Sequence, residues 1–422
     1  MPVDLRRQGE TAAGLPDLEA LLASVQAGYS LPQAFYDHPA MLDLDLRAFL
    51  SRHWILAGHI SQIPEVGDYF LFELGNESVI ICRADVSSVR AHANVCRHRG
   101  SRICLEQHGQ VRRLVCPYHA WSYHLDGSLA AAPRMPEDFE KSAYGLQAIR
   151  CELVEGLIFV ALADDPVSFE PVRALLTRCL APYDLPGTQV ADQRSYSISG
   201  NWKLSVENYL ECYHCTPAHR EYARFHSDSS PREEAANRLE ELLQRAASVG
   251  GLTERRVEHY GLGALDNQES LVYDRDPLYP PAVTGSETGA PLAPVLGSLT
   301  GYDGGTAYIH VGPLSYLLLY ADHVILYRFT PRTAGTSQAD IWWLVRGDTE
   351  EGVDFSRAEL TWLWELTIQQ DKTIIESNAR GVSSMHYRPG PYSPFEPMVV
   401  KFQAWYLDSL RRNLPEGRGS QF

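Results

Sequence analysis

Two short Cys/His pairs constrain this chain more than any other feature. The first is Cys96-Arg97-His98; after 17 intervening residues comes Cys116-Pro117-Tyr118-His119. Each pair offers one thiolate and one imidazole. Together they suit a [2Fe–2S] cluster, with both thiolates on one iron and both imidazoles on the other. Neutral imidazoles remove negative charge and raise the reduction potential above that of an all-Cys cluster. The rival is a structural Cys2His2 zinc site, but zinc fingers usually group Cys with Cys and His with His. The residues around the pairs suit loops, Arg99-Gly100-Ser101 after the first and Pro117 inside the second.

A second candidate metal site lies in Asn201-Trp202-Lys203-Leu204-Ser205-Val206-Glu207-Asn208-Tyr209-Leu210-Glu211-Cys212-Tyr213-His214-Cys215-Thr216-Pro217-Ala218-His219. On an unbroken helix, His214 and His219 would point about 140° apart. Pro217 breaks or tightens the helix and swings His219 back toward His214. A non-haem Fe(II) site needs two His and one carboxylate on one face, with positions open for oxygen. The best third ligand is Asp371, in the helical-looking Trp364-Glu365-Leu366-Thr367-Ile368-Gln369-Gln370-Asp371. Taken alone, a His-x4-His and a helical Asp are more often ordinary structure than ligands.

These motifs together resemble the oxygenase (alpha) subunits of Rieske-type non-haem iron oxygenases, over most of the chain. The resemblance makes His214, His219 and Asp371 the iron ligands. Most ring-hydroxylating members have Asp three residues before the first iron His; this chain has Glu211. That departure resembles the branch acting on quaternary ammonium compounds: glycine betaine, proline betaine (stachydrine) and carnitine. Tyr29-Ser30-Leu31-Pro32-Gln33 and Pro389-Gly390-Pro391-Tyr392-Ser393 also look like this branch. In the family the cluster of one subunit works with the iron of its neighbour, so the resemblance implies a homotrimer. By position Glu211 becomes the carboxylate bridging His119 of one subunit to His214 of the next; its plainer reading is a carboxylate orienting a ligand His. Asn208 either lines the iron site or is a solvated helix amide.

Composition adds bounds. At 422 residues, two domains sharing an extensive interface are expected. The expected fold is α+β: a helical segment over 1–50, a β-rich Rieske domain over 51–165, and a catalytic domain over 166–422. In the last, an antiparallel sheet is flanked by helices in a helix-grip-like arrangement. A net charge of −16 argues against nucleic acid and suits a cationic substrate without establishing one. No apolar run approaches a membrane span, and the N-terminus has no signal core. A cytoplasmic protein is therefore expected, with Cys82, Cys104, Cys151, Cys179, Cys212 and Cys215 reduced and mainly packing. No Gly-x-Gly-x-x-Gly fingerprint is present, so flavin and nicotinamide belong to a separate flavin/ferredoxin-type reductase.

Periodicity predicts helices at 17–29 and 40–57, strands at 68–73 and 78–83 joined at Gly75-Asn76, and a hairpin at Asp126-Gly127. A closing strand runs Leu153 to Leu162, with a helix over 170–183. A strand at 194–200 opens the second domain, and its first long helix carries the iron histidines. Further helices are expected at 231–248 and 352–379, with strands across 307–346. Residues 250–305 read as a long irregular lid, substrate loop or subunit contact.

A quaternary ammonium is best held by aromatic faces, through cation–π attraction of ~0.5–2 kcal/mol each. Tyr209, two residues before Glu211, is the first choice; Tyr308 and Trp343 follow, among Tyr213, Tyr316, Tyr320 and Trp342. Adjacent Trp342 and Trp343 on a strand point to opposite faces, so at most one enters a pocket. Three activities fit: a monooxygenase demethylating proline betaine or glycine betaine, a ring-hydroxylating dioxygenase, and an electron-transfer protein. The last needs only the first motif, so His214, His219 and Asp371 decide against it.

Overall fold

The computed structural model describes residues 18–226, 232–263 and 266–413. The first helices are short: α1 (Leu18–Ala23), α2 (Ala34–Asp37) and α3 (Pro39–Leu44). The helix predicted to run to 57 instead passes through one wide π-helical turn and one tight turn, then stops at Arg52. Ile55 is already in a strand, because Ile55, Leu56, Gly58 and His59 pair with residues 157–160.

The first sheet is antiparallel, in the order β1-β10-β9-β4-β3-β2-β5. Its strands are β1 (Ile55–His59), β2 (Asp68–Leu74), β3 (Glu77–Arg83), β4 (Val89–Ala93), β5 (His108–Gln110), β9 (Ala148–Val154) and β10 (Leu157–Ala161). A small sheet of β6 (Leu114–Val115), β7 (Ser122–Tyr123) and β8 (Leu129–Ala131) stands beside it. The predicted strand from Leu153 to Leu162 is a hairpin. Glu155 and Gly156 both take positive φ, and a Cβ on Gly156 would meet His59 Nε2 at 2.7 Å.

After α4 (Glu170–Leu180), the second sheet runs β11-β17-β16-β15-β14-β13-β12, also antiparallel. Its strands are β11 (Thr188–Ile198), β12 (Arg256–His259), β13 (Leu271–Pro277), β14 (Gly305–Val311), β15 (Ser315–Leu319), β16 (Val324–Thr333) and β17 (Thr336–Arg346). So the stretch 250–305 is irregular only in part: it contributes two strands. The helices of this half are α5 (Trp202–Tyr209), α6 (Cys215–Ala218), α7 (Arg220–His226), α8 (Arg232–Ser248), α9 (Arg357–Val382) and α10 (Pro397–Asn413). Pro231, predicted to open α8, lies outside the described residues.

This sheet is a wall between two cores, which is why β15 and most of β16 and β17 are apolar on both faces. Tyr316, Leu318, Ile325, Tyr327 and Trp343 pack with α9 and α10 on one side. Leu317, Leu319, Leu326 and Trp342 pack with α4 on the other. β1 docks on the wall through buried polar bonds. Arg328 donates to the carbonyls of Leu56 (3.0 Å) and Ala57 (2.8 Å) while paired with Asp340 (2.7 Å). Ser315 Oγ accepts from Leu56 N–H at 2.8 Å.

The segment 18–52 packs against the second half of the chain. Asp45 is fully buried, ion-paired to Lys203 and bonded to Trp202 Nε1 (2.9 Å) and Tyr406 Oη (2.5 Å). Residues 28–30 pair with 390–392, Ser30 N–H to Gly390 O (2.9 Å) and Tyr392 N–H to Gly28 O (2.8 Å). Tyr36 then donates to Glu207 at 3.0 Å, and Gln403 Nε2 donates to the same carboxylate at 3.0 Å. Two segments distant in sequence thus clamp α5, the helix leading to the second candidate metal site.

Candidate active site

The two Cys/His loops are near copies of one turn. Gly100 N–H donates to Cys96 O (2.9 Å) and Cys96 N–H to Ser101 O (2.8 Å); Ala120 N–H donates to Cys116 O (3.1 Å) and Cys116 N–H to Trp121 O (2.8 Å). The fifth residue of each turn has positive φ, +77° at Gly100 and +58° at Ala120. The turns bury the thiols of Cys96 and Cys116 and leave His98 and His119 exposed, their ring centroids 4.6 Å apart. Trp121 stacks flat on His98 at 4.9 Å. Tyr123 Oη accepts from Arg97 N–H (3.1 Å) and can donate to Cys96 Sγ (3.2 Å). Sulfurs inside and imidazoles outside fit a [2Fe–2S] cluster, and a hydroxyl on the sulfur is a lever on its potential.

The second site forms where the predicted long helix fails. Asn201 caps α5, accepting from Lys203 N–H at 3.0 Å, but α5 ends at Tyr209. The chain unwinds through Glu211, whose carboxylate accepts from the backbone N–H of Tyr213 and of His214 (3.2 Å) and holds His214 Nδ1 at 2.5 Å. His214 then precedes the four-residue α6, which contains Pro217, and His219 follows it. Breaking the helix turns the two rings toward each other, with centroids 5.1 Å apart. Cys212 and Cys215, expected as thiols, are joined in a disulfide across this turn. The three-residue step puts their Cα atoms 4.9 Å apart, inside bonding range.

Asp371 reaches both rings from α9, its Oδ1 3.3 Å from His214 Nε2 and 2.9 Å from His219 Nε2. Ligating atoms of the three side chains gather within 4.8 Å. Burial opposes charge on His214, but the Asp371 and Glu211 carboxylates outweigh it and lift its pKa to about 9. Burial would raise Asp371; the two imidazoles hold it below the usual carboxylate value. A site that draws positive charge this strongly, with two imidazole nitrogens and a carboxylate, suits Fe(II). Asn208 Nδ2 lies 3.4 Å from His214 Nε2, so its amide is at the site.

The three residues line a cavity of about 990 Å³. Tyr209 and Tyr308 line it as predicted, Tyr209 packed on Tyr316 at 4.3 Å and Tyr308 Oη 3.0 Å from Tyr222 Oη. Trp343 does not: it is fully buried in the core, with Arg194 5.7 Å over its ring. Tyr316, Tyr320 and Trp342 also lie outside the lining. The lining also includes Tyr222, Tyr327, Phe329 and Trp364, which sequence reasoning missed. Helical spacing could have found two of them. Trp364 is seven residues before Asp371 on α9, and Tyr222 three after His219. Tyr213 and Phe395, both exposed, stack at 5.9 Å beside the cavity.

Residues 53–151 match the Rieske [2Fe-2S] domain family, and residues 187–412 match the ring hydroxylating alpha subunit catalytic domain. The two domains imply a Rieske cluster plus a mononuclear iron. The chain is 34% identical to the glycine betaine monooxygenase oxygenase subunit of Chromohalobacter salexigens, over 93% of this chain and 88% of that one. It is 32% identical to the carnitine monooxygenase oxygenase subunit of Acinetobacter pittii, over 49% of this chain and 56% of that one. A quaternary ammonium Rieske monooxygenase crystallised with L-carnitine shares the fold at TM-score 0.65 and 22% identity, covering 94% of this chain and 99% of that one. So does naphthalene 1,2-dioxygenase from Rhodococcus sp., at TM-score 0.68 and 20% identity, covering 94% and 98%.

Proposed function

Because the chain belongs to the Rieske non-haem iron oxygenase alpha subunits, oxidoreductases with a [2Fe–2S] cluster and a mononuclear iron, we propose that it hydroxylates an N-methyl group of a small betaine, glycine betaine or proline betaine. The observation that carries this is the aromatic cavity opening directly onto His214, His219 and Asp371. Tyr209, Tyr222, Tyr308, Tyr327, Phe329 and Trp364 offer π faces to a cation that cannot donate a strong hydrogen bond. The substrate class of the full-length relatives supports the reading.

In this reading Cys96, His98, Cys116 and His119 hold the cluster, and His214, His219 and Asp371 hold the iron. When bound, the iron supplies oxygen activation and the cluster supplies electrons one at a time. The aromatic walls orient the ammonium with one methyl toward His214 and His219 and keep bulk water away from it. Overall, the N-methyl, O2, two electrons and two protons give an N-hydroxymethyl group and water. That group breaks its C–N bond to leave formaldehyde, a tertiary amine and one proton. The protein works in the cytoplasm as a homotrimer fed by a separate flavin/ferredoxin-type reductase. Glu211 bridges His214 to His119 of the neighbouring subunit. Among the described residues no helix is long and apolar enough to cross a membrane.

The test is to reduce the protein anaerobically with a panel of betaines and aromatic compounds, admit oxygen, and assay products. Formaldehyde from a betaine is expected. Cis-diols from naphthalene- or benzoate-like compounds, with no formaldehyde, would replace this reading with a ring dioxygenase.

A further inference from the structure

His219 is 1% exposed, and its ring nitrogens have separate partners. Nε2 faces Asp371 at 2.9 Å, and Nδ1 lies 2.8 Å from Gln370 Oε1. An amide oxygen only accepts, so Nδ1 carries a proton whichever state Nε2 is in; Nε2 donates to the Asp371 carboxylate when protonated, and in the neutral ring it is the nitrogen left free to bind a metal. The amide itself could face either way. Glu221, on α7 two residues after His219, removes that freedom. Its carboxylate accepts from Gln370 Nε2 at 3.3 Å, and a carboxylate cannot satisfy an amide oxygen. A reversed amide would set oxygen against oxygen at Glu221 and NH2 against the ring. It would then favour the tautomer with the proton on Nε2, the nitrogen needed for a metal.

We propose that Glu221 and Gln370 form a positioning relay that fixes the tautomer of His219 and keeps Nε2 available as a ligand. The inference rests on reading His214, His219 and Asp371 as the iron site. The two imidazoles are then oriented by different means. His214 Nδ1 is held by the carboxylate of Glu211, which has no wrong way round; His219 Nδ1 is held by a neutral amide whose polarity is set one residue further out.

The test measures Fe(II) affinity of the full chain by chelator competition, with cluster absorption as the check on folding. Gln370→Leu should weaken Fe(II) binding about 10–100-fold, the usual effect of losing such a partner. Glu221→Leu should also weaken it, because the amide is free to reverse. The double variant Glu221→Leu/Gln370→Glu should restore binding to wild-type strength or better, since a carboxylate next to Nδ1 needs nothing to orient it. A double variant no better than Glu221→Leu would show that Glu221 acts through packing and would overturn the relay. So would a cluster-containing Gln370→Leu protein that binds Fe(II) like wild type. If Gln370→Leu loses cluster absorption, the comparison of Glu221→Leu with the double variant decides. The readout is metal binding, so a wrong betaine assignment leaves it intact. If His219→Ala leaves Fe(II) affinity unchanged, the ligand reading fails instead.

Discussion

Glu207 should make the protein lose stability as the pH rises. Burial lifts its carboxyl from 4.5 to about 7, against the pull of Gln403, Tyr36 and Lys203 and with help from Glu396. Tyr387, Tyr392 and Tyr406 also face it. The folded state therefore holds a proton that the unfolded chain releases near pH 4.5. Below that pH both states are protonated and the contribution is fully present. Between 4.5 and 7 the folded state is progressively disfavoured, and above 7 the loss is complete. At about 1.36 kcal/mol per pH unit, the change between pH 5 and pH 8 is about 2–3 kcal/mol. Glu207→Gln keeps an oxygen for Tyr36 and Gln403 but cannot ionise. Thermal unfolding of both proteins at one scan rate should show the variant gaining on wild type by roughly 2–3 °C between pH 5 and pH 8, at about 2.1 cal/mol/K of unfolding entropy per residue. A constant difference across that range would mean Glu207 is ionised throughout, and the burial argument would be wrong.

Asp371→Ala should drop total iron from about three to about two per chain, abolish turnover and leave the cluster spectrum intact; full iron with activity would move the third ligand to Glu365 or Glu376. Tyr209→Ala should raise KM for a betaine about 2–30-fold while Tyr209→Phe barely changes it, because the ring face and not the hydroxyl makes the contact; equal effects would implicate the hydroxyl. Glu211→Gln should retain both metals yet slow single-turnover transfer of electrons to the iron site, and a normal rate would reduce Glu211 to orienting His214.

The proposed ligands stand out in the sequence because their chemistry fixes residue type and spacing. Cys96, His98, Cys116 and His119 need only two loops, and His214, His219 and Asp371 need only a break at the right place. The strands around Gly75-Asn76, the hairpin at Asp126-Gly127 and the helix carrying Asp371 followed local periodicity. What stayed hidden depends on partners far away in sequence. Leu153–Leu162 reads as one apolar run until His59 and β1 fold against Gly156. Trp343 looks like an available aromatic because sequence cannot show that its strand is covered on both faces. The bonds from Tyr36 and Gln403 to Glu207 join residues 171 and 196 positions apart, with no local signature. The disulfide at Cys212 and Cys215 ran against an expectation drawn from cellular compartment, which says nothing about a turn that presses two sulfurs together.

The clamp on α5 also has a consequence in time. Every proposed cluster ligand lies between Cys96 and His119, inside a sheet closed by β10 at Ala161. That unit can fold and take up its cluster early in synthesis, since domains generally fold N-terminal first. The proposed iron ligands are spread from His214 to Asp371, and the bonds that clamp α5 include Gln403 and Tyr406, further along still. Chain length thus allows an ordered maturation: the segment with the proposed cluster ligands emerges long before the last residues that complete the proposed iron site. A ribosome stalled between these points would carry a half-enzyme able to hold an electron but with no iron site to receive it.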